Sequence, residues 1–239
     1  MPNTYFNFKQ FTIHQDKCSM KVCTDACILG AWTAQIFQSH SINNILDIGC
    51  GTGLLSLMLA QKMNGLIDAI EINSDAAGQA IENINASSWA NRISVIHSSL
   101  QDFETNKKYG LIICNPPFYE DDLRSGDEYK NEAKHDTTLK LEDLLVSIRE
   151  NLSEDGFSVV LLPFHRTAYF EETAKKQSLF VREKLLIRQT PRHEHFRSVI
   201  LLSAKNVQKP VINKLIIHDD QRNYTAEFNM LLKDYYLKL

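Results

Sequence analysis

The stretch from Asn44 to Glu71 leaves this chain few folds to choose from. Asn44-Ile45-Leu46-Asp47-Ile48 is a short apolar run, and Gly49-Cys50-Gly51-Thr52-Gly53 places a glycine at every second position. Leu54 then opens an apolar segment expected to be helical as far as Lys62. A second apolar run, Leu66 to Ile70, ends in Glu71. Strand, tight turn, helix and strand within about thirty residues make a βαβ unit, which requires parallel strands covered on both faces. Glycine lets a turn adopt positive φ and lets backbone approach a ligand, and the helix that follows brings free N–H groups. Glu71 follows the last glycine by roughly the 20 residues at which such units place a carboxylate for ribose hydroxyls. The dinucleotide pattern G-x-G-x-x-G/A would need a small residue where Leu54 stands. Gly49, Gly51 and Gly53 spell G-x-G-x-G instead, with Asp47 inside the strand end.

The alternation of element types continues. Ser74 is expected to cap a helix running to about Ser88, and Ile93 to His97 reads as a third strand. Leu111-Ile112-Ile113-Cys114 is a fully buried fourth strand. A helix from Leu141 to Asn151, a turn at Ser153-Glu154-Asp155-Gly156 and a strand from Phe157 to Leu162 form another unit. A helix from Thr167 to Gln177 precedes strands at Phe180 to Arg188 and Ser198 to Ala204, and Tyr224 to Tyr236 reads as a closing helix. Upstream, Phe6, Phe8, Phe11 and Ile13 suggest a short strand or extended arm, and Ala26 to Phe37 a helix. Thr24-Asp25 before it is either an N-cap or a pair that touches a cofactor. The expectation is one α/β domain over 1–239: arm and helix in 1–43, then a doubly wound, mostly parallel, seven-stranded core in 44–239 with helices on both faces.

The fourth strand delivers Asn115-Pro116-Pro117-Phe118. Two prolines fix φ and remove two donors, so the strand opens into a rigid, acceptor-rich corner. The Asn115 side-chain oxygen and the Pro116 carbonyl can each accept a hydrogen bond, and Phe118 offers a flat apolar face. A planar NH2 group on a ring or carbonyl wants those parts: two acceptors and a surface to stack on. A proline-rich turn is the plain alternative. In an open parallel sheet, ligands sit beyond the carboxyl ends of strands where strand order reverses. The first and fourth strands are neighbours there, so the glycine turn and Asn115 should meet.

Composition limits the partners. Among 239 residues, 26 Lys and Arg against 29 Asp and Glu give a formal net charge of −3. A generally basic nucleic-acid binder has a domain pI above about 9, so any such contact must use a local patch. The basic loop Thr190 to Arg197 is one candidate, or else an ordinary hairpin. His193 and His195 within it have no third metal ligand in view, so no metal is expected. The 5 cysteines lack paired C-x-x-C spacing and are expected to be reduced. No apolar run approaches the roughly 18 residues of a membrane span, and Met1-Pro2-Asn3-Thr4 does not begin a secretory leader. A cytoplasmic protein is expected. The polar stretch 119–138 is a surface loop or a segment that orders around substrate.

The form Asp47-Ile48-Gly49-Cys50-Gly51-Thr52-Gly53 resembles the S-adenosylmethionine loop of class I methyltransferases. Over nearly its full length the chain resembles the bacterial methyltransferases that make N6-methyladenine at position 37 of valine tRNA. The likeness includes Phe8-Lys9-Gln10-Phe11, Lys21-Val22-Cys23-Thr24-Asp25, the glycine loop and Asn115 to Phe118. It also includes Ala133-Lys134-His135-Asp136 and Tyr224-Thr225-Ala226-Glu227-Phe228. Phe118 stands where many relatives have Tyr, and both stack. The resemblance implies a class I fold and S-adenosylmethionine held by Lys21, Thr24, Asp47, Gly49, Gly51, Gly53, Glu71, Ile72, Ser99, Leu100 and Asn115. Many relatives carry Asp where Ser99 stands; Asp102 either takes over that contact or is a loop residue. It further implies catalysis by Asn115, Pro116, Pro117 and Phe118 on a base extruded from the anticodon loop of a valine tRNA. Lys134, Arg188, Arg192 and Arg197 are the candidates for RNA phosphates, and a monomer is expected. Two relatives share the corner. Protein-glutamine methyltransferases of release factors carry a helical domain ahead of the loop and Glu-Pro after the corner, and this sequence has no Glu-Pro. Ribosomal-RNA guanine-N2 methyltransferases are the second alternative. A binding module without catalysis is the third, and it would require a damaged cofactor loop.

Overall fold

A computed structural model describes residues 3–18, 20–117 and 139–239. An N-terminal hairpin pairs β1 (Tyr5–Asn7) with β2 (Thr12–His14). Helix α1 (Thr24–Phe37) follows. Then come β3 (Asn44–Ile48), α2 (Leu54–Ala60), β4 (Leu66–Glu71), α3 (Ser74–Asn85), β5 (Ile93–His97) and β6 (Tyr109–Cys114). The second half contains α4 (Leu141–Asn151), β7 (Leu152–Pro163), α5 (Thr167–Lys176), β8 (Phe180–Arg188), β9 (His195–Ser203), β10 (Val211–Ile216) and α6 (Ala226–Leu232).

One eight-stranded sheet runs β10-β8-β9-β7-β6-β3-β4-β5. The seven expected strands are present in the expected doubly wound order. β10 extends the edge beside β8 as an eighth strand. Only β9 runs antiparallel to its neighbours, so the carboxyl ends of all the other strands lie along one edge. The chain winds outward from β3 through β4 to β5, then returns to β3's other side as β6. That reversal is the switch point, with Ile48 and Cys114 in register across it. Between the pairs Tyr109–Leu152 and Leu111–Phe157, β7 carries Ser153 to Gly156 as an irregularity, which absorbs the expected turn.

The strands are apolar without alternation because both faces are covered. Ile45, Leu111, Ile113, Val159 and Leu161 pack beneath α1, α2 and α6, while Leu46, Ile48, Ile112, Cys114, Val160 and Leu162 pack beneath α4 and α5. Full burial of one such side chain contributes about 1.5–3 kcal/mol. The Arg92 guanidinium donates to the Ala60 and Met63 carbonyls, both at 2.7 Å, so it satisfies the carboxyl end of α2. Two helix ends differ from expectation. Asn73, not Ser74, caps α3, its side chain accepting from Ala76 N at 2.9 Å. Cys23, not Thr24, holds the N-cap position of α1 and makes no side-chain cap bond.

Candidate active site

The glycine turn lies at the switch point, between β3 and α2. Gly49 and Cys50 both donate to the Ile70 carbonyl at 2.9 Å, which pins the turn to the end of β4. Gly49 has φ +71° and Gly51 φ +55°, values that L side chains rarely adopt. A Cβ at either would meet nothing within 4 Å, so the turn faces open space and the demand for glycine is conformational. Glu71 closes that space from the next strand. Its Oε2 accepts from Gly51 N and its Oε1 from Asn73 N, each at 2.9 Å. Each oxygen keeps a free lone pair for hydroxyl donors. Ile72, beside it, is 57 % exposed and presents apolar surface to the same edge.

Asp47 is fully buried beneath the turn. Ser56 Oγ donates to its Oδ2 at 2.6 Å, while Oδ1 has no partner among the described residues. Burial pushes its carboxyl up to about 7, against the Ser56 hydrogen bonds, and the nearby Glu71 charge adds to the rise. An unpartnered acceptor at this depth wants a cation or donor.

Asn115 emerges one strand away, directly after Cys114. Its Oδ1 is buried and unpartnered among the described residues, and its amide nitrogen points to Met20 Sδ at 3.9 Å. Pro116 is buried and Pro117 half-buried. Asn115 thus holds out an acceptor that nothing in the described protein uses, beside a glycine turn that faces empty space. Phe118, the last member of the expected catalytic corner, and Lys134 lie outside the described residues.

The N-terminal arm forms one wall of this region. Asn83 on α3 accepts from His14 N at 2.9 Å and donates to the carbonyls of His14 and Thr52, each at 3.0 Å. Gln79 one turn earlier accepts from Lys17 N at 3.1 Å and donates to Asp16 at 2.8 Å. Two buried amides therefore tie the arm to α3, and Asn83 ties it to the glycine turn as well. Polar residues four apart on the apolar face of α3 were the signal that sequence reasoning passed over. Lys21 donates to the Asn3 carbonyl at 3.2 Å. Thr24 is half-buried at the first position of α1. At the other flank, Ser99 Oγ donates to Asp102 at 2.6 Å and accepts from Asp102 N at 3.0 Å, so the two residues form one closed turn. Leu100 packs half-buried on the core.

The basic candidates share the carboxyl edge but differ in what holds them. Arg188 Nε donates to His195 Nε2 at 3.1 Å. Arg192 is exposed and pairs with Asp220 at 3.0 Å. Arg197 Nε donates to Asp25 at 2.8 Å, joining β9 to the first turn of α1. Arg197 is thus a tie between elements, which its spacing in sequence gave no means to foresee. Among the described residues no group of three or more His, Cys, Asp or Glu could hold a metal ion, and no helix is long and apolar enough to cross a membrane.

Sheet order, G-x-G-x-G turn and carboxylate at the end of β4 place the chain with the class I S-adenosylmethionine-dependent methyltransferases. Solved structures agree on the fold. A predicted O-methyltransferase, Atu636, from Agrobacterium tumefaciens matches 88 % of this chain and 96 % of its own at TM-score 0.65 and 16 % identity. Trm5b from Pyrococcus abyssi matches 85 % of this chain and 56 % of its own at TM-score 0.61 and 17 % identity. Residues 31–135 match the family described as methyltransferase small domain. The tRNA1(Val) (adenine(37)-N6)-methyltransferase of Parabacteroides distasonis is 42 % identical over 241 residues, covering all of both chains. The protein of that name from Flavobacterium johnsoniae is 40 % identical, covering 98 % of this chain and 100 % of its own. The chain belongs to the family of tRNA1(Val) (adenine(37)-N6)-methyltransferases.

Proposed function

We propose that this chain methylates N6 of adenine 37 in the anticodon loop of tRNA1(Val), using S-adenosylmethionine. The observation that carries the reading is Asn115 Oδ1, buried and unpartnered at the switch point beside the glycine turn. The residues present suit the cofactor: space beside Gly49 and Gly51, lone pairs on Glu71 for ribose hydroxyls, and an unpartnered oxygen on Asp47. Ile72 supplies an apolar face, Leu100 and the Ser99–Asp102 turn the far wall, and Lys21 and Thr24 the arm side. S-adenosylmethionine supplies an electrophilic methyl group there.

The N6 lone pair of adenine is delocalised into the ring and is a poor nucleophile. Asn115 Oδ1 and the Pro116 carbonyl accept its two hydrogens, orient the amine and favour its pyramidal, attacking form. Alignment supplies most of the rate, because the amine needs no strong base and sheds its extra proton after transfer. Phe118 provides the ring on which the extruded base stacks. Arg188, Arg192 and Lys134 meet phosphates. Arg197 holds Asp25 and so sets the arm against the core. The chain works as one domain and a monomer in the cytoplasm, with 1–43 closing the site over 44–239.

The test is incubation with radiolabelled S-adenosylmethionine and, in parallel, tRNA, ribosomal RNA and release factor, followed by nucleoside analysis. N6-methyladenosine in tRNA alone is expected. Label in release factor or in guanine would overturn the reading.

A further inference from the structure

One aromatic side chain near the corner has no part in the chemistry above. Phe164 begins a short 3-10 helix, Phe164–Arg166, directly after Pro163 ends β7. β7 is the neighbour of β6, with Val160 opposite Cys114. β7 therefore leads Phe164 out of the same sheet edge, one strand over from the chain that leaves as Asn115, Pro116 and Pro117. A ring at a strand end is usually covered, yet Phe164 is 37 % exposed.

It is also held still. Its centroid lies 5.1 Å from that of His195, with the planes 40° apart. His195 is fixed in turn by Arg188 Nε, which donates to Nε2 at 3.1 Å. That bond requires a neutral imidazole, and burial followed by the Arg188 charge lowers the pKa of His195. The two rings form a rigid, uncharged aromatic surface beside the Asn115 corner.

A guanidinium stands against this surface. Arg188 has no carboxylate partner among the described residues, its bond being to a ring nitrogen. Among the described residues, Asp25 is paired with Arg197 and Asp220 with Arg192. Glu194, at the tip of the β8–β9 hairpin, is exposed. A fixed aromatic face beside a guanidinium group is the recognition chemistry of unpaired nucleotides: the base stacks and a phosphate meets the cation.

We propose that Phe164, backed by His195 and flanked by Arg188, is a stacking shelf for an unpaired base of the substrate RNA next to the one that enters the Asn115 corner. The proposal rests on the corner being an RNA-adenine site. The shelf gives the enzyme a second base contact and restricts it to loops whose neighbouring base can leave its stack.

The test compares wild type with Phe164→Ala, Phe164→Leu and Phe164→Trp on a tRNA1(Val) transcript. It reads KM for tRNA, kcat, cofactor affinity by calorimetry and melting temperature. Phe164→Ala and Phe164→Leu should raise KM roughly 5- to 150-fold, the loss expected for one base–aromatic stack. Their kcat, cofactor affinity and melting temperature should stay near wild type, and Phe164→Trp should retain the wild-type KM. An unchanged KM in Phe164→Ala would overturn the shelf and leave the face to a protein partner. So would full rescue by Phe164→Leu, which keeps bulk without a ring. A joint fall of melting temperature and cofactor affinity would make Phe164 a packing residue and equally overturn it. Failure of the underlying function looks different: wild type itself would then label no tRNA.

Discussion

Asp47→Asn should raise the stability of this protein at neutral pH while weakening its grip on the cofactor. The wild-type carboxyl is fully buried, with one oxygen held by Ser56 and the other unpartnered among the described residues. Its pKa rises from 3.8 to about 7 on folding. At one pKa unit per 1.36 kcal/mol, that is a penalty of about 4 kcal/mol on the ionised form. The native state binds the extra proton between those two values, so the unfolding free energy falls as pH rises through that window. The loss is about 1.4 kcal/mol per unit, and it levels off above about 7. Asn has the same shape and no charge, so the stability gap between Asp47→Asn and wild type should widen by about 3 kcal/mol between pH 5 and pH 8. For a chain of this length that is a relative gain of roughly 6–12 °C in melting temperature. Thermal melts of both proteins in cofactor-free buffer from pH 5 to pH 8 measure it. A positively charged ligand beside Asp47 favours the ionised form, so cofactor binding should release up to about half a proton at pH 7, and more below it, in wild type and none in the variant. Calorimetry in buffers of different ionisation enthalpy counts that proton. A pH-independent gap between the two proteins would refute the argument, because Asp47 would then be charged and solvated in the fold.

Glu71→Ala removes the acceptor of Gly51 N and Asn73 N together with the ribose ligand. Cofactor affinity should fall by about 1.5–3 kcal/mol, the range for hydrogen bonds to a charged group. Equal affinity by calorimetry would take Glu71 out of the site. Arg188→Ala and Arg192→Ala should each lower the slope of log K for tRNA against log salt by about 1, and unchanged slopes would place the phosphates elsewhere. Arg197→Ala should behave differently. It leaves Asp25 unpaired at the start of α1, so a lower melting temperature is expected, and the reversed pair Asp25→Arg with Arg197→Asp should recover part of it.

The parts of the fold that were legible in sequence are those whose physics is local. A strand buried on both faces is an unbroken apolar run, as in Leu111 to Cys114. A positive-φ turn is spelled in glycine, as at Gly49 and Gly51. The switch point followed from element order alone, and with it the adjacency of the strands that carry Asp47, Glu71 and Cys114, the residue before Asn115. β10 stayed hidden because an edge strand need not be apolar on both sides, and Val211 and Ile212 are 56 % and 53 % exposed. The N-terminal aromatics form a hairpin, not a single strand or loose arm, and Phe8 packs against Phe11 and Tyr236. That contact spans almost the whole chain, as does the ion pair of Asp25 with Arg197. Pairings of this kind are created by the fold and leave no mark in spacing. The helix from Tyr224 contracted to Ala226–Leu232 because Thr225 caps it, its Oγ1 accepting from Phe228 N at 3.2 Å.

The central claim is that Asn115 is a hydrogen-bond acceptor that positions an amine, and the direct test is single-turnover methylation of tRNA at saturating cofactor. Asn115→Ala should bind cofactor nearly as wild type does, since Glu71 and the glycine turn are untouched. Its rate should fall by on the order of 10²–10³, as when one preorganised polar group is removed from a transition-state site. Asn115→Asp keeps an acceptor at the same point and should fall between the two. An Asn115→Ala variant that methylates tRNA at the wild-type rate would contradict the account, leaving Asn115-Pro116-Pro117 only a turn.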